Sequence, residues 1–232
     1  MPFSDEALTR LRADAAEIIG RYPRARSALL PLLHLVQSEE GYVSEDGIKF
    51  CAEVLGCSQT EVAGVATFYT MYKHSPAAEY QVGVCTNTLC AIMGGDQIYA
   101  ELARHLGADP AGHDDDHRDI QSPDGKVGLE RIECNAACDY APVVMVNWEF
   151  FDNMTPESAR QLVDDLRAGN KVAPTRGPGR LCTWKEASRI LAGFGDGQAA
   201  DGPPAGPASL LGLKIAKENG WKAPEPSGGA KK

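Results

Sequence analysis

Apolar residues recur with helical spacing through the first third of the chain. Leu8, Leu11, Ala15, Ile18 and Ile19 share one face of a helix that Ser4 can cap. Asp5 and Glu6 fall in its first turn, at the positive end of the helix dipole. Pro23 breaks the run after Tyr22. Leu29, Leu30, Leu32, Leu33, Leu35 and Val36 mark a second helix, with Pro31 in its first turn, where no N–H is required, and Gly41 at its end. A third runs over Ser44–Leu55 and stops at Gly56. Ser58-Gln59-Thr60-Glu61 is a capping box opening a fourth, which presents Val62, Val65 and Phe68. Four short helices with short loops predict a small bundle over residues 1–76.

From about residue 77 the pattern alternates between strand and helix. YQVGVC (80–85) reads as a short strand ending at Cys85. Residues 95–106 carry Ile98, Leu102 and Leu106 on one side of a helix. KVGLERIEC (126–134) alternates as a strand ending at Cys134, and VVMVNWEFF (143–151) reads as one buried strand. Thr155 caps a last helix with Pro156 at N1, and Leu162, Val163 and Leu166 face inward. The order β-α-β-β-α predicts a small sheet with helices packed on it over residues 77–170, giving an α+β chain.

Residues 171–232 differ in character. They hold 10 basic and 5 acidic side chains, against 13 and 27 in residues 1–170, and Gly plus Pro make 18 of the 62. This basic tail is expected to be disordered or docked on a partner. Two amphipathic fragments lie in it. Thr183-Trp184-Lys185-Glu186 is a capping box leading into Ala187, Ile190 and Leu191, and SLLGLKIAKENGW follows at 209–221. Both are too short for stability alone, so they read as hooks that fold on the surface of a partner.

The net charge of −9 argues against nucleic acid as the main partner. No apolar stretch approaches a membrane span, so no direct membrane insertion is expected. The N-terminal residues have no apolar core of the signal-peptide kind, which predicts a cytoplasmic protein with reduced thiols. Paired cysteines in that setting read as metal or redox sites before disulfides.

Four of the seven cysteines form two tight pairs, Cys85–Cys90 and Cys134–Cys138. Each pair is expected on a short loop directly after a strand. Four thiolates suit an iron–sulfur cluster, and they also suit a structural zinc ion. The unequal spacing is less usual for a zinc ribbon built of matched knuckles. The residues within the pairs (Thr86, Asn87, Thr88 and Leu89, then Asn135, Ala136 and Ala137) are uncharged and mostly small or turn-forming. Small residues let backbone N–H groups approach cluster sulfurs. Gly94-Gly95 would free the amides of the next helix to face the same region. Asp139 beside Cys138 would favour the oxidised state. No CxxC is present, so dithiol exchange is disfavoured.

VCTNTLC and ECNAACDYAPVVMVNWEFFDNMTPE, together with RSALLPLLHLVQSEEGYVS and EVAGVATFYTMY, resemble the 24-kDa-type [2Fe-2S] subunit family of respiratory complex I, the NADH-quinone oxidoreductase. The resemblance covers about residues 5–170. It implies a thioredoxin-like domain following the helical bundle, and one [2Fe-2S] cluster held by Cys85, Cys90, Cys134 and Cys138. It implies a neighbouring flavoprotein subunit that binds FMN and NADH, and a large iron–sulfur subunit of the same complex. It also implies a position on the cytoplasmic side of the membrane, and exchange of single electrons with the flavin as temporary storage. The chain has no GxGxxG, so it is not expected to bind the dinucleotide itself. Equivalent subunits of soluble NAD-linked hydrogenases and formate dehydrogenases resemble it in the same motifs. A zinc-stabilised adaptor is the alternative of another class.

The remaining candidates have plainer readings. Cys51 reads as a buried inert thiol, and Cys57 and Cys182 as unliganded. His34 and His105 read as surface or cap residues. His113-Asp114-Asp115-Asp116-His117 reads as a solvated loop. Trp148, Phe150 and Phe151 read as core, and Tyr69, Met71 and Tyr72 as packing between the two domains.

Overall fold

A computed structural model describes residues 3–110, 120–198, 201–202 and 205–223. The His113–His117 run therefore lies outside the described residues. The first core is helical. It is built from α1 (Asp5–Gly20), α2 (Leu29–Glu40), α3 (Glu45–Leu55) and α4 (Gln59–Phe68). The caps form as the sequence predicts. Ser4, Ser44 and Ser58 each accept a backbone N–H, and Glu61 completes the capping box on Ser58. Gly41 and Gly56 end their helices in the left-handed conformation. α2 is the central helix, with Leu32, Leu33, Leu35 and Val36 all excluded from solvent. Phe68 departs from the pattern. It is 77% exposed, and Ala66 is buried on α4 instead.

The second core is a mixed sheet with helices against it. Its strands are β1 (Tyr80–Cys85), β2 (Ile120–Gln121), β3 (Val127–Ile132), β4 (Val144–Val146) and β5 (Glu149–Phe151). Among the described residues their order is β2-β3-β1-β4-β5. β1 and β3 run parallel, Cys85 opposite Ile132, and the other pairs are antiparallel. The parallel pair needs a crossover, and α5 (Thr88–Ile92) and α6 (Gly95–His105) lie within it. Ile98 and Leu102 of α6 and Leu162, Val163 and Leu166 of α7 (Pro156–Ala168) close over Val82, Val84, Val127 and Val144.

The apolar run at 143–151 is two strands rather than one. Asn147 and Trp148 both have positive φ, 47° and 76°, and turn β4 back on β5 as a two-residue hairpin. An asparagine supplies this conformation readily, but a tryptophan gives no sequence warning of it. Asn147 is held by its side chain. It accepts from the Gln81 N–H and donates to the carbonyls of Glu79 and Cys182.

The largest correction concerns the tail. Residues 175–176 lie along β5, where the Thr175 N–H donates to the Phe150 carbonyl and Arg176 forms an isolated bridge with Phe150. α8 (Trp184–Leu191) then packs on α2 of the same chain. Trp184 is 2% exposed and its Nε1 donates to the Gly41 carbonyl at 2.9 Å. Ser188 is fully buried and bonds Gln37, which also donates to Met71 and accepts from the Lys73 N–H. This hook therefore docks on the chain's own helical core, not on a partner. α9 (Pro207–Glu218) buries no residue, and Leu210, Leu211 and Leu213 are exposed.

Trp184 also joins the two cores. With Trp148 it closes a narrow cavity over the second face of the sheet, against Gln81, Gly83, Ile132 and Met145. A half-buried ion pair, Lys73 to Glu130 at 2.7 Å, bridges the same seam.

Candidate metal centre

β1 delivers Cys85 to the end of the sheet, where its N–H bonds the Val143 carbonyl. The chain then turns through Thr86 and Asn87 into α5. Cys90 thus sits in a short helix, not on an open loop as the sequence reading expects. The second pair follows the parallel neighbour β3. Cys134 opens a loop, and Cys138 begins a one-turn 3-10 segment, Cys138–Tyr140. Parallel pairing of β1 with β3 is what brings the two loops to one end of the sheet.

The four thiols stand in two unlike pairs. Cys85 and Cys90 are each 2% exposed and pack with Ala137, Ala141 and Val143. Cys134 is exposed and Cys138 half-buried. Their sulfurs lie 3.6 Å apart. Two thiolates on one tetrahedral metal with bonds of about 2.3 Å would lie about 3.8 Å apart, so this pair has the bite of a chelate. Among the described residues no three His, Cys, Asp or Glu side chains are grouped to hold a single ion.

The electrostatics suit a bound cation. Burial foremost, with the neighbouring Cys85 thiol, pushes Cys90 up to about 11, although the Val143 N–H favours its thiolate. A hydrogen bond from Cys134, then burial, raises Cys138. Thiols that resist ionisation together are deprotonated outright by a bound metal. The loop backbone is shaped for sulfur as well. Ala136 adopts φ 54°, unusual for a residue with a side chain, and its N–H donates to Cys134 Sγ at 3.4 Å. Asn135, between the pair, carries a buried Nδ2 with no protein partner. Sulfide or thiolate sulfur would give that donor an acceptor. Four thiols, an orphaned donor and small residues match the donor set and packing that an iron–sulfur core needs.

Several neighbours differ from their sequence reading. Gly95 is required for close approach. A Cβ there would lie 2.4 Å from the Cys85 carbonyl oxygen and 3.0 Å from that of Cys90. Asp139 accepts a hydrogen bond from Ser209 on α9, and the Tyr140 hydroxyl accepts from the Ala208 N–H. Ala141–Pro142 is cis. Phe150 packs against the cysteine cluster, whereas Phe151 belongs to the sheet core. Tyr72 lies in the helical core.

The other thiols and histidines lie apart from this centre. Cys51 is fully buried in the helical core, where burial pushes it up to about 12. Cys57 packs beside that core and Cys182 is buried under the tail. His105 pairs with Asp164 at 2.6 Å. His34 is not a surface residue. It is 5% exposed, stacked on Tyr72, with Nδ1 unpartnered.

The class follows from the fold and the four thiols: the chain belongs to the thioredoxin-like [2Fe-2S] ferredoxin family, whose family model matches residues 15–167. It is 56% identical over 231 residues to the E-type subunit of NADH-quinone oxidoreductase from Mycobacterium tuberculosis, covering 97% of this chain and 86% of the relative. It is 33% identical over 167 residues to NADH-quinone oxidoreductase subunit 2 of Thermus thermophilus, covering 71% and 88%. Within its class the chain groups with these E-type subunits of NADH-quinone oxidoreductase. A solved NAD+-reducing [NiFe]-hydrogenase shares the fold, with a TM-score of 0.51, 18% identity, and coverage of 61% of this chain and 23% of that one.

Proposed function

We propose that Cys85, Cys90, Cys134 and Cys138 hold one [2Fe-2S] cluster, and that the chain is the electron-transfer subunit of an NADH-quinone oxidoreductase. The observation that carries the ligand assignment is the pairing of four thiols at one end of the sheet, one pair buried and one open to the surface. Each pair serves one iron. The group supplies a site that takes up and releases one electron at a time.

The chain's own residues prepare that site. Small side chains let the backbone close around it, the Ala136 N–H bonds a ligand sulfur, and Ala137, Ala141 and Val143 exclude water from the inner pair. Exposed Leu89, Ile92 and Met93 flank Cys90 and form an apolar rim. That rim suits contact with a flavoprotein subunit binding FMN and NADH, and the large iron–sulfur subunit is the second neighbour. Among the described residues no helix is long and apolar enough to cross a membrane. The reading puts the chain peripherally, on the cytoplasmic side of a membrane-bound complex. Relatives at 56% and 33% identity bear the quinone oxidoreductase name. The hydrogenase likeness, at 18% identity, speaks to fold alone.

The test is EPR and metal analysis on the anaerobically purified chain, before and after dithionite. A rhombic S = 1/2 signal appearing only on reduction, with about two irons per chain, is the expected result. No signal and about one zinc per chain would make this a structural module.

A further inference from the structure

We infer that Arg176, with Asp152, sets the reduction potential of the metal centre, acting as a positioning charge behind Phe150; this rests on the cluster reading above. The Arg176 guanidinium lies 4.3 Å from the centroid of Phe150 and 5.5 Å from that of Tyr140. Phe150 packs on the group formed by Cys85, Cys90, Ala137, Ala141 and Val143. Tyr140 closes the turn that begins with Cys138. A cation therefore stands against two rings that line the cysteine loops, one behind each pair.

The charge is built in. Arg176 has 14% of its side chain exposed and Asp152 has 8%, with 2.9 Å between them, and Arg176 Nε is buried with no partner. The backbone fixes it further, because Arg176 bridges to Phe150 and the Asp152 N–H donates to Thr175 Oγ1. Burying an arginine whose Nε is left unpaired carries a cost that a structural ion pair does not require. Buried charges are weakly screened, so they act on a nearby centre whose own charge changes. When the centre gains one electron, its negative charge rises by one, and the guanidinium stabilises that form. Asp152 acts with the opposite sign.

The test is a redox titration of the full chain, followed by EPR, for wild type and the variants R176Q, R176K and D152N. We expect R176Q to shift the midpoint negative, D152N to shift it positive, and R176K to stay near wild type, with the reduced spectrum unchanged in all. Unmoved midpoints, or shifts of the same sign in R176Q and D152N, overturn the inference. Loss of iron from R176Q alone leaves D152N and R176K to decide it by the same criteria. Loss of iron from both R176Q and D152N shows a structural pair and overturns it. A wild-type chain without iron overturns the cluster reading itself and this inference with it.

Discussion

Gly95 faces the Cys85 carbonyl so closely that a single added methyl would lie 2.4 Å from its oxygen. The contact is with backbone, so no side chain can swing away. Gly94, at φ 113°, turns the chain just before it and lets α6 start directly against the first cysteine loop. We expect Gly95→Ala to displace Cys85 and Cys90 relative to each other. Overpacking of this kind costs about 1–3 kcal/mol, and here the strain falls on the ligands. Iron content and the visible spectrum of the purified variant should drop while far-UV circular dichroism stays near wild type. A fully loaded G95A would show that the first loop tolerates the shift.

The outer pair answers a different question. Cys134 and Cys138 sit at the surface and contribute little to either core, so removing one should not unfold the chain. Cys138→Ala should lose or destabilise the cluster and keep the helical core cooperative in thermal unfolding. An unchanged cluster spectrum would remove Cys138 from the ligand set.

Trp184 carries the structural role of the tail. It fills the seam between the cores, stacks on Trp148 and bonds Gly41. Trp184→Ala should destabilise by about 3–5 kcal/mol, the usual range for a buried tryptophan. Truncation after Asn170 should cost at least as much, since it also strips Ser188 from Gln37. Denaturant unfolding measures both. A truncated chain of wild-type stability would mean that α8 rests on α2 without supporting it.

The local signals are legible where one residue decides the structure. Ser4, Ser44, Ser58 and Thr155 cap their helices, Gly41 and Gly56 end theirs, and the cysteine spacing marks the site. What the chain pattern does not carry is tertiary. Trp184 reads as part of a free hook because a helix of 8 residues has no stability alone, and nothing local reveals the groove on α2 that receives it. Phe68 and His34 fail in opposite directions for the same reason, since period alone does not say which face of a bundle helix finds a partner. Arg176 gives no signal at all. It sits in a Pro- and Gly-rich stretch, and its place behind Phe150 arises only when residues 175–176 lie along β5.

His34 makes stability depend on pH in a defined window. Burial lowers its pKa from near 6.5 to about 4, and Nδ1 has no partner to offset that. The unfolded chain therefore binds this proton at a higher pH than the folded chain does. Between the two values the unfolded state carries more protons, so stability falls as pH falls from about 6.5 towards 4 and levels off below. The shift corresponds to at most about 3 kcal/mol. Glu61 acts in a lower window. The Ser58 N–H and hydroxyl, and Arg26, depress it to about 2, so its contribution is present above the ordinary glutamate range and is lost only at more acidic pH. Denaturant unfolding at pH 7 and pH 5 separates the two. Wild type should lose stability between these points, and His34→Leu should lose much less. Equal losses in the two proteins would mean that His34 stays neutral in both states or finds a partner when protonated.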